Sequence, residues 1–139
     1  MNESIPHLVR VGVLRVDVGA PVDGEVTAQG VHRSIPILGG TLEGEIGEGV
    51  VLAGGADRQI VHDDGTISIE ARYEIELADS TIVTVHSVGV RATRDDHVYF
   101  RTCMRLTTLS DRPELNGQLF ISTGYRAEKT VVLELYRLT

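Results

Sequence analysis

Cysteine, tryptophan and long apolar runs are scarce in this 139-residue chain. It has one cysteine (Cys103), no tryptophan, 4% aromatic side chains, and fewer basic than acidic residues. A lone cysteine rules out an intramolecular disulfide framework and makes a reducing cytoplasm the simpler compartment. No apolar stretch approaches the ~20 residues that a membrane-spanning helix needs. The longest uncharged runs, such as Ser80 to Val90, are of strand length and rich in β-branched residues. Thirteen Lys and Arg stand against 20 Asp and Glu, a formal charge of −7. A domain of that sign repels phosphate backbones, so nucleic acid is a poor partner; with no spanning stretch, no membrane partner is expected either. Met1 to Pro6 carries Glu3 and no basic segment followed by an apolar one, so no secretory signal is expected. The Asn2-Glu3-Ser4 glycosylation pattern then has no meaning.

The chain does have 42% hydrophobic residues, 15 glycines, and enough length to bury a core without a metal or disulfide staple. Apolar residues alternate with period two along nearly its whole length, in runs bounded by Gly, Asp, Asn and Pro, and helical periodicity is almost absent. Strands are expected at Leu8 to Val18, Val31 to Leu38, Thr41 to Ala53, Arg58 to His62, Thr66 to Leu77, Thr81 to Ala92, Val98 to Thr107, Gln118 to Thr123 and Thr130 to Leu138. A loop is expected from Gly19 to about Gly30, and Gly39-Gly40 reads as a corner. Pro36 implies an edge or bulge, since proline cannot donate to a ladder. Asp63-Asp64-Gly65 suits a tight hairpin turn. About eight strands in up-and-down order favour one all-β domain over residues 1–139, a closed antiparallel barrel, with a two-sheet sandwich as the alternative.

Side-chain alternation suggests which faces are wet. Ile69, Ala71, Tyr73, Ile75 and Leu77 form one face of their strand and belong inside; Glu70, Arg72, Glu74 and Glu76 form the other, with Arg72 the least settled. Along Thr81 to Ala92 the set Val83, Val85, Ser87, Gly89 and Arg91 opposes Ile82, Thr84, His86, Val88 and Val90, and neither is strongly charged. A strand covered on both sides in a helix-poor domain points to a homodimer. The strand after it sets Tyr99, Arg101, Cys103 and Arg105 against Phe100, Thr102, Met104 and Leu106, which leaves open whether Arg101 faces solvent or the interior. Cys103 reads as a packed small side chain.

No nucleophile elbow, phosphate loop, dinucleotide fingerprint or paired zinc-binding histidines occur, so neither metal nor cofactor is expected. His7, His32, His62, His86 and His97 are scattered; His86 reads first as a hydrogen-bonded imidazole on a covered strand. Asp57 follows Gly54-Gly55-Ala56, where small residues allow close approach and a carboxylate can project into a cavity mouth, although a turn role competes. Enclosure would raise its pKa and a guanidinium from Arg72 or Arg101 would lower it, which is how a pocket tunes a general acid or base.

The segments Pro36 to Gly44, Gly54-Gly55-Ala56-Asp57, Asp64-Gly65, Ala71-Arg72-Tyr73, Tyr99-Phe100-Arg101 and Leu115-Asn116 follow one another in an order that resembles the domain of unknown function 3237 family, also called uncharacterised protein family 0311, from about Leu8 to Leu138. The resemblance implies an eight-stranded barrel similar to allene oxide cyclase, and matches Asp57, Arg72, Tyr73, Tyr99, Arg101 and Asn116 to the family's polar positions. It departs at Arg58 and Glu114, where aromatics are common, and at Asp79-Ser80, where Asp-Gly is. Loss of aromatics would shift preference toward anionic or more polar ligands. The expected function is a cofactor-independent isomerase, cyclase or lyase acting on a small oxygenated molecule inside the barrel. Asp57, Arg72 and Arg101 would be catalytic; Tyr73, Tyr99, Asn116 and His86 would bind the ligand. A non-catalytic carrier barrel and a side-chain-filled structural subunit are the alternatives, and hydrolysis ranks lower because no nucleophile constellation is visible.

Overall fold

Period-two alternation gives each strand one apolar face, and the structure buries those faces by rolling the sheet shut. A computed structural model describes residues 4–139; most of the Asn2-Glu3-Ser4 pattern lies outside the described residues. The elements are β1 (Leu8–Val18), β2 (Val22–Thr27), β3 (Gly30–Glu43), β4 (Gly49–Val51), β5 (Ala56–Val61), β6 (Ile67–Leu77), β7 (Ile82–Arg94), β8 (His97–Thr107), α1 (Pro113–Asn116), β9 (Leu119–Ala127) and β10 (Thr130–Leu138). Neighbours pair antiparallel in the order β1-β10-β9-β8-β7-β6-β4-β3, with β5 beside β4 between β3 and β6. β1 pairs with β10 along one edge and with β3 along the other, which closes an eight-position barrel. Closure gives every position of the barrel a paired neighbour on each side and leaves β2 as a free margin.

The interior is apolar through most of its depth. Leu14, Ile75, Val85, Met104, Phe120 and Leu135 are almost completely enclosed. β6 divides as its sequence predicts, with Ile69, Ala71, Tyr73, Ile75 and Leu77 buried and Glu70, Arg72, Glu74 and Glu76 exposed. On β8 the inward set is Phe100, Thr102, Met104 and Leu106. Cys103 is therefore exposed, not packed. The end reached by β8's C-terminus is stoppered by Leu115 of α1, which is 2% exposed. The other end carries the β5–β6, β7–β8 and β9–β10 hairpins and forms a mouth.

Three local expectations need revision. The expected loop after Gly19 contains β2, which pairs with the first half of β3; a register shift between Asp23 and Val26 absorbs Gly24 without ending the strand. Gly39-Gly40 is no corner, because β3 runs straight through it. Gly40 sits at φ +141, where a Cβ would lie 1.9 Å from the Arg15 carbonyl oxygen, so glycine is what lets β1 and β3 pair there. Thr41 to Ala53 is accordingly the end of β3, a loop and β4 rather than one strand. Pro36 sits where β3 passes from β2, last paired at Ser34, to β1, first paired at Ile37. Its missing N–H costs nothing at that exchange of partners. The tight turn at Asp64-Gly65 is present, with Gly65 at φ +88 and the Thr66 N–H donating to Asp64 Oδ1.

Phe120, 1% exposed, fills the middle of this core. Phe120→Ala is expected to destabilise the fold by about 3–5 kcal/mol in chemical denaturation. Truncating the fully exposed Leu109 to alanine should leave it within about 0.5 kcal/mol of the parent.

Candidate functional site

The strand position shared by β4 and β5 is interrupted at Leu52 to Gly55, and this interruption places the site. Gly55 lies so close to β6 that a Cβ there would be 2.4 Å from the Arg72 carbonyl oxygen and 2.5 Å from Tyr73 Cβ. The chain therefore crosses directly against Tyr73 before β5 begins. Asp57 pairs across to Ile35 on β3 and Ala71 on β6, both inward-facing, so its carboxylate faces the barrel interior. Asp57 is thus a strand residue, and the competing turn role falls away.

Two small chambers meet at Asp57. The deeper one, about 40 Å³, is lined by Tyr73, Ser87 and Thr102 among apolar side chains including Ile37 and Leu133. The outer one, also about 40 Å³, is lined by Gln59, Arg91 and Arg126. Val18, Ile69, Phe100 and Val131 line both. Each volume admits about two or three waters or one small functional group, so a larger molecule must enter end-on from the mouth.

The polar groups here are unevenly satisfied. Gln59 Nε2 donates to Asp57 Oδ2 at 2.8 Å, whereas Asp57 Oδ1 and the Tyr73 hydroxyl are buried with no hydrogen-bond partner. Thr102 and Ser122 share a hydrogen bond of 2.5 Å between their hydroxyls. Burial raises the Asp57 carboxyl above its ordinary value, only partly offset by the Gln59 hydrogen bond. Burial, reinforced by the Asp57 charge, pushes the Tyr73 phenol up as well, so it remains a proton-bearing donor. Buried polar atoms without partners cost roughly 1–3 kcal/mol each, an expense common at sites meant for a ligand.

The other residues singled out in the sequence do not join Asp57 and Tyr73. Arg72 and Arg101 lie on exposed outward faces. Arg101 donates to the Phe100 carbonyl and, with Arg94, flanks the Tyr99 ring, their guanidinium carbons lying 5.2 and 4.1 Å from its centre. Tyr99 is therefore part of the outer surface. His86 faces outward as a partner of Glu70 at 3.2 Å. Asn116 lies at the stoppered end, where its side chain accepts from the Thr108 N–H and donates to the Ser110 carbonyl, organising the α1 loop. Arg91, Arg126 and Gln59 were not singled out. For Arg91 the signal was present, since it continues the Val83, Val85, Ser87 and Gly89 alternation.

A wider groove of about 630 Å³ lies outside the barrel, between Val22 of β2 and Arg58, Ile60, Ser68 and Val88. It offers space but no buried, unpartnered polar atom, so the interior chambers are the better candidate. Among the described residues no group of three or more His, Cys, Asp or Glu side chains is placed to hold a metal, and no helix is long and apolar enough to cross a membrane.

Fold and site together define a closed antiparallel β-barrel with a polar interior at one end. The chain belongs to the family described as Protein of unknown function (DUF3237), whose model matches residues 6–138. A UPF0311 protein of Rhodopseudomonas palustris is 35% identical, over 83% of this chain and 88% of the relative. Among solved structures, a beta-barrel like protein from Acinetobacter baumannii superposes with a TM-score of 0.93 at 28% identity, covering 99% of each chain. An enzyme from Penicillium herquei has a TM-score of 0.77 at 18% identity, covering 100% of this chain and 98% of its own, and shares the fold.

Because the folded Asp57 carboxyl titrates above its unfolded value, the folded state binds more protons between those two values, and stability falls as pH rises through that window. Asp57→Asn is expected to raise the thermal midpoint at pH 7. That gain should disappear below the unfolded carboxyl pKa, near 3.8, as calorimetry across pH would show.

Proposed function

We propose that this barrel is a cofactor-independent isomerase, cyclase or lyase that moves a proton on a small oxygenated organic molecule inside its cavity. The observation that carries this reading is the meeting in one chamber of a buried carboxyl and a buried phenol, each with an oxygen that no protein group satisfies. A carbonyl oxygen of the substrate accepts from the Tyr73 O–H. The Asp57 carboxylate removes a proton from the adjacent carbon, and the C–H electron pair forms the enolate. The same carboxyl returns its proton to another atom, so the sum is an isomerisation that consumes no co-reactant. A carboxyl raised by burial is a stronger base than an exposed one, which suits this task. The fold shared with an enzyme from Penicillium herquei is compatible with catalysis.

Incubating the protein with small carbonyl metabolites in D2O and following proton loss by NMR tests the reading. Enzyme-dependent exchange or conversion is expected, reduced at least about 100-fold in Asp57→Asn; equal rates in that variant would reject Asp57 as the base. Tyr73→Phe should slow the same reaction while holding or raising stability, because it deletes a buried hydroxyl without a partner.

A second reading rests on the outer surface. Val88 and Val90 on β7 are 50% and 38% exposed, and Leu119 on β9, across β8, is 51% exposed, which favours a homodimer covering the β7 face. Light scattering at micromolar concentration should return twice the chain mass, and a monomer rejects this.

A further inference from the structure

Alternation places two guanidinium groups where an apolar side chain would be the ordinary choice. Arg91 is on the inward face of β7, four residues beyond buried Ser87; Arg126 is on the inward face of β9, four beyond buried Ser122. Both line the outer chamber with Asp57 and Gln59. Arg126 uses its Nε to donate to the Glu128 carbonyl, which leaves its terminal nitrogens uncommitted. Neither arginine is ion-paired among the described residues, whereas Arg33, also at this end, is held by Asp23 at 2.8 Å. In a chain of formal charge −7, the outer chamber sets two unpaired cations against the single carboxyl of Asp57, a local excess of positive charge that attracts and orients an anion.

We infer that the barrel takes a small organic acid, its carboxylate held by Arg91 and Arg126 at the mouth and its uncharged end directed inward to Asp57 and Tyr73. This rests on the proposed reaction for what happens at the inner end, but the anion site stands on its own geometry. A forked guanidinium donor matches the two oxygens of a carboxylate. With that group fixed at the mouth, the carbons next to it are the part of the molecule that fits the narrow chambers. The substrate class is thus a short carboxylic acid with a carbonyl near its far end, and Arg91 and Arg126 are its binding residues.

The test uses butyrate and its uncharged counterpart butyramide as probes, titrated into the full-length protein and followed by amide chemical shifts. Butyrate is expected to saturate, with shifts centred on β7, β9 and Asp57, and to bind at least 10-fold more tightly than butyramide. Arg91→Gln and Arg126→Gln should each weaken butyrate, and the double variant should abolish the preference over butyramide; Arg72→Gln and Arg101→Gln on the outer face should keep it. Equal binding of the two probes, or a preference that survives in the double variant with its native spectrum intact, overturns the proposal. So do shifts confined to the outer groove. Asp57→Asn separates the two claims. Butyrate binding retained in that variant, with no proton exchange in the parent protein for any carbonyl acid, rejects the reaction and leaves the anion site standing. Exchange on uncharged ketones alone does the reverse.

Discussion

Everything in this barrel depends on β1 using both of its edges. One edge pairs with β10 from Leu8 to Asp17, and the other pairs with β3 from Val13 to Val18. Without the second pairing the molecule would be an open, strongly curved sheet with two unsatisfied margins. With it, the apolar face of every barrel strand turns onto one axis. The requirement is severe at the contact itself, since β1 and β3 meet where Gly40 has no side chain to hold them apart.

Closure also sets the electrostatics of the site. Asp57 is on an ordinary strand in an ordinary inward register; what makes it unusual is that the register carries it under Phe100, Ile69 and Val131, away from water. The same apolar walls that stabilise the barrel raise the carboxyl's proton affinity and leave the Tyr73 hydroxyl without a partner. If Asp57 acts as proposed, stability and reactivity pull against each other at that residue.

How much was legible in the sequence varies with how unambiguous the alternation is. β6 shows its two faces openly, because glutamates and an arginine oppose aliphatics and a tyrosine. β1 and β10 match their expected limits residue for residue. β8 does not sort itself, since arginines on one face and Thr102 and Met104 on the other give little contrast. Only the closed barrel shows that Arg101 lies outside and Phe100 inside. Asp57 was visible through Gly54-Gly55, whose local meaning survives in the fold. The family resemblance brought in Tyr99 and Asn116, but what they do locally, stacking with arginines and pinning a loop, depends on neighbours distant in sequence. Arg126 could not be read at all, because the strand carrying it runs past the expected end at Thr123 to Ala127. β2 was hidden because a bulge and a turn use the same residues, Asp and Gly.

Leu115 and the loop pinned by Asn116 stopper one end of the barrel. Under the proposed function, any ligand would therefore enter and leave through the same mouth. Two molecules cannot pass one another in chambers this narrow, so the occupant must clear before its successor enters. Kinetically, a product would compete head-on with substrate for the free protein, and no second ligand could bind behind the first.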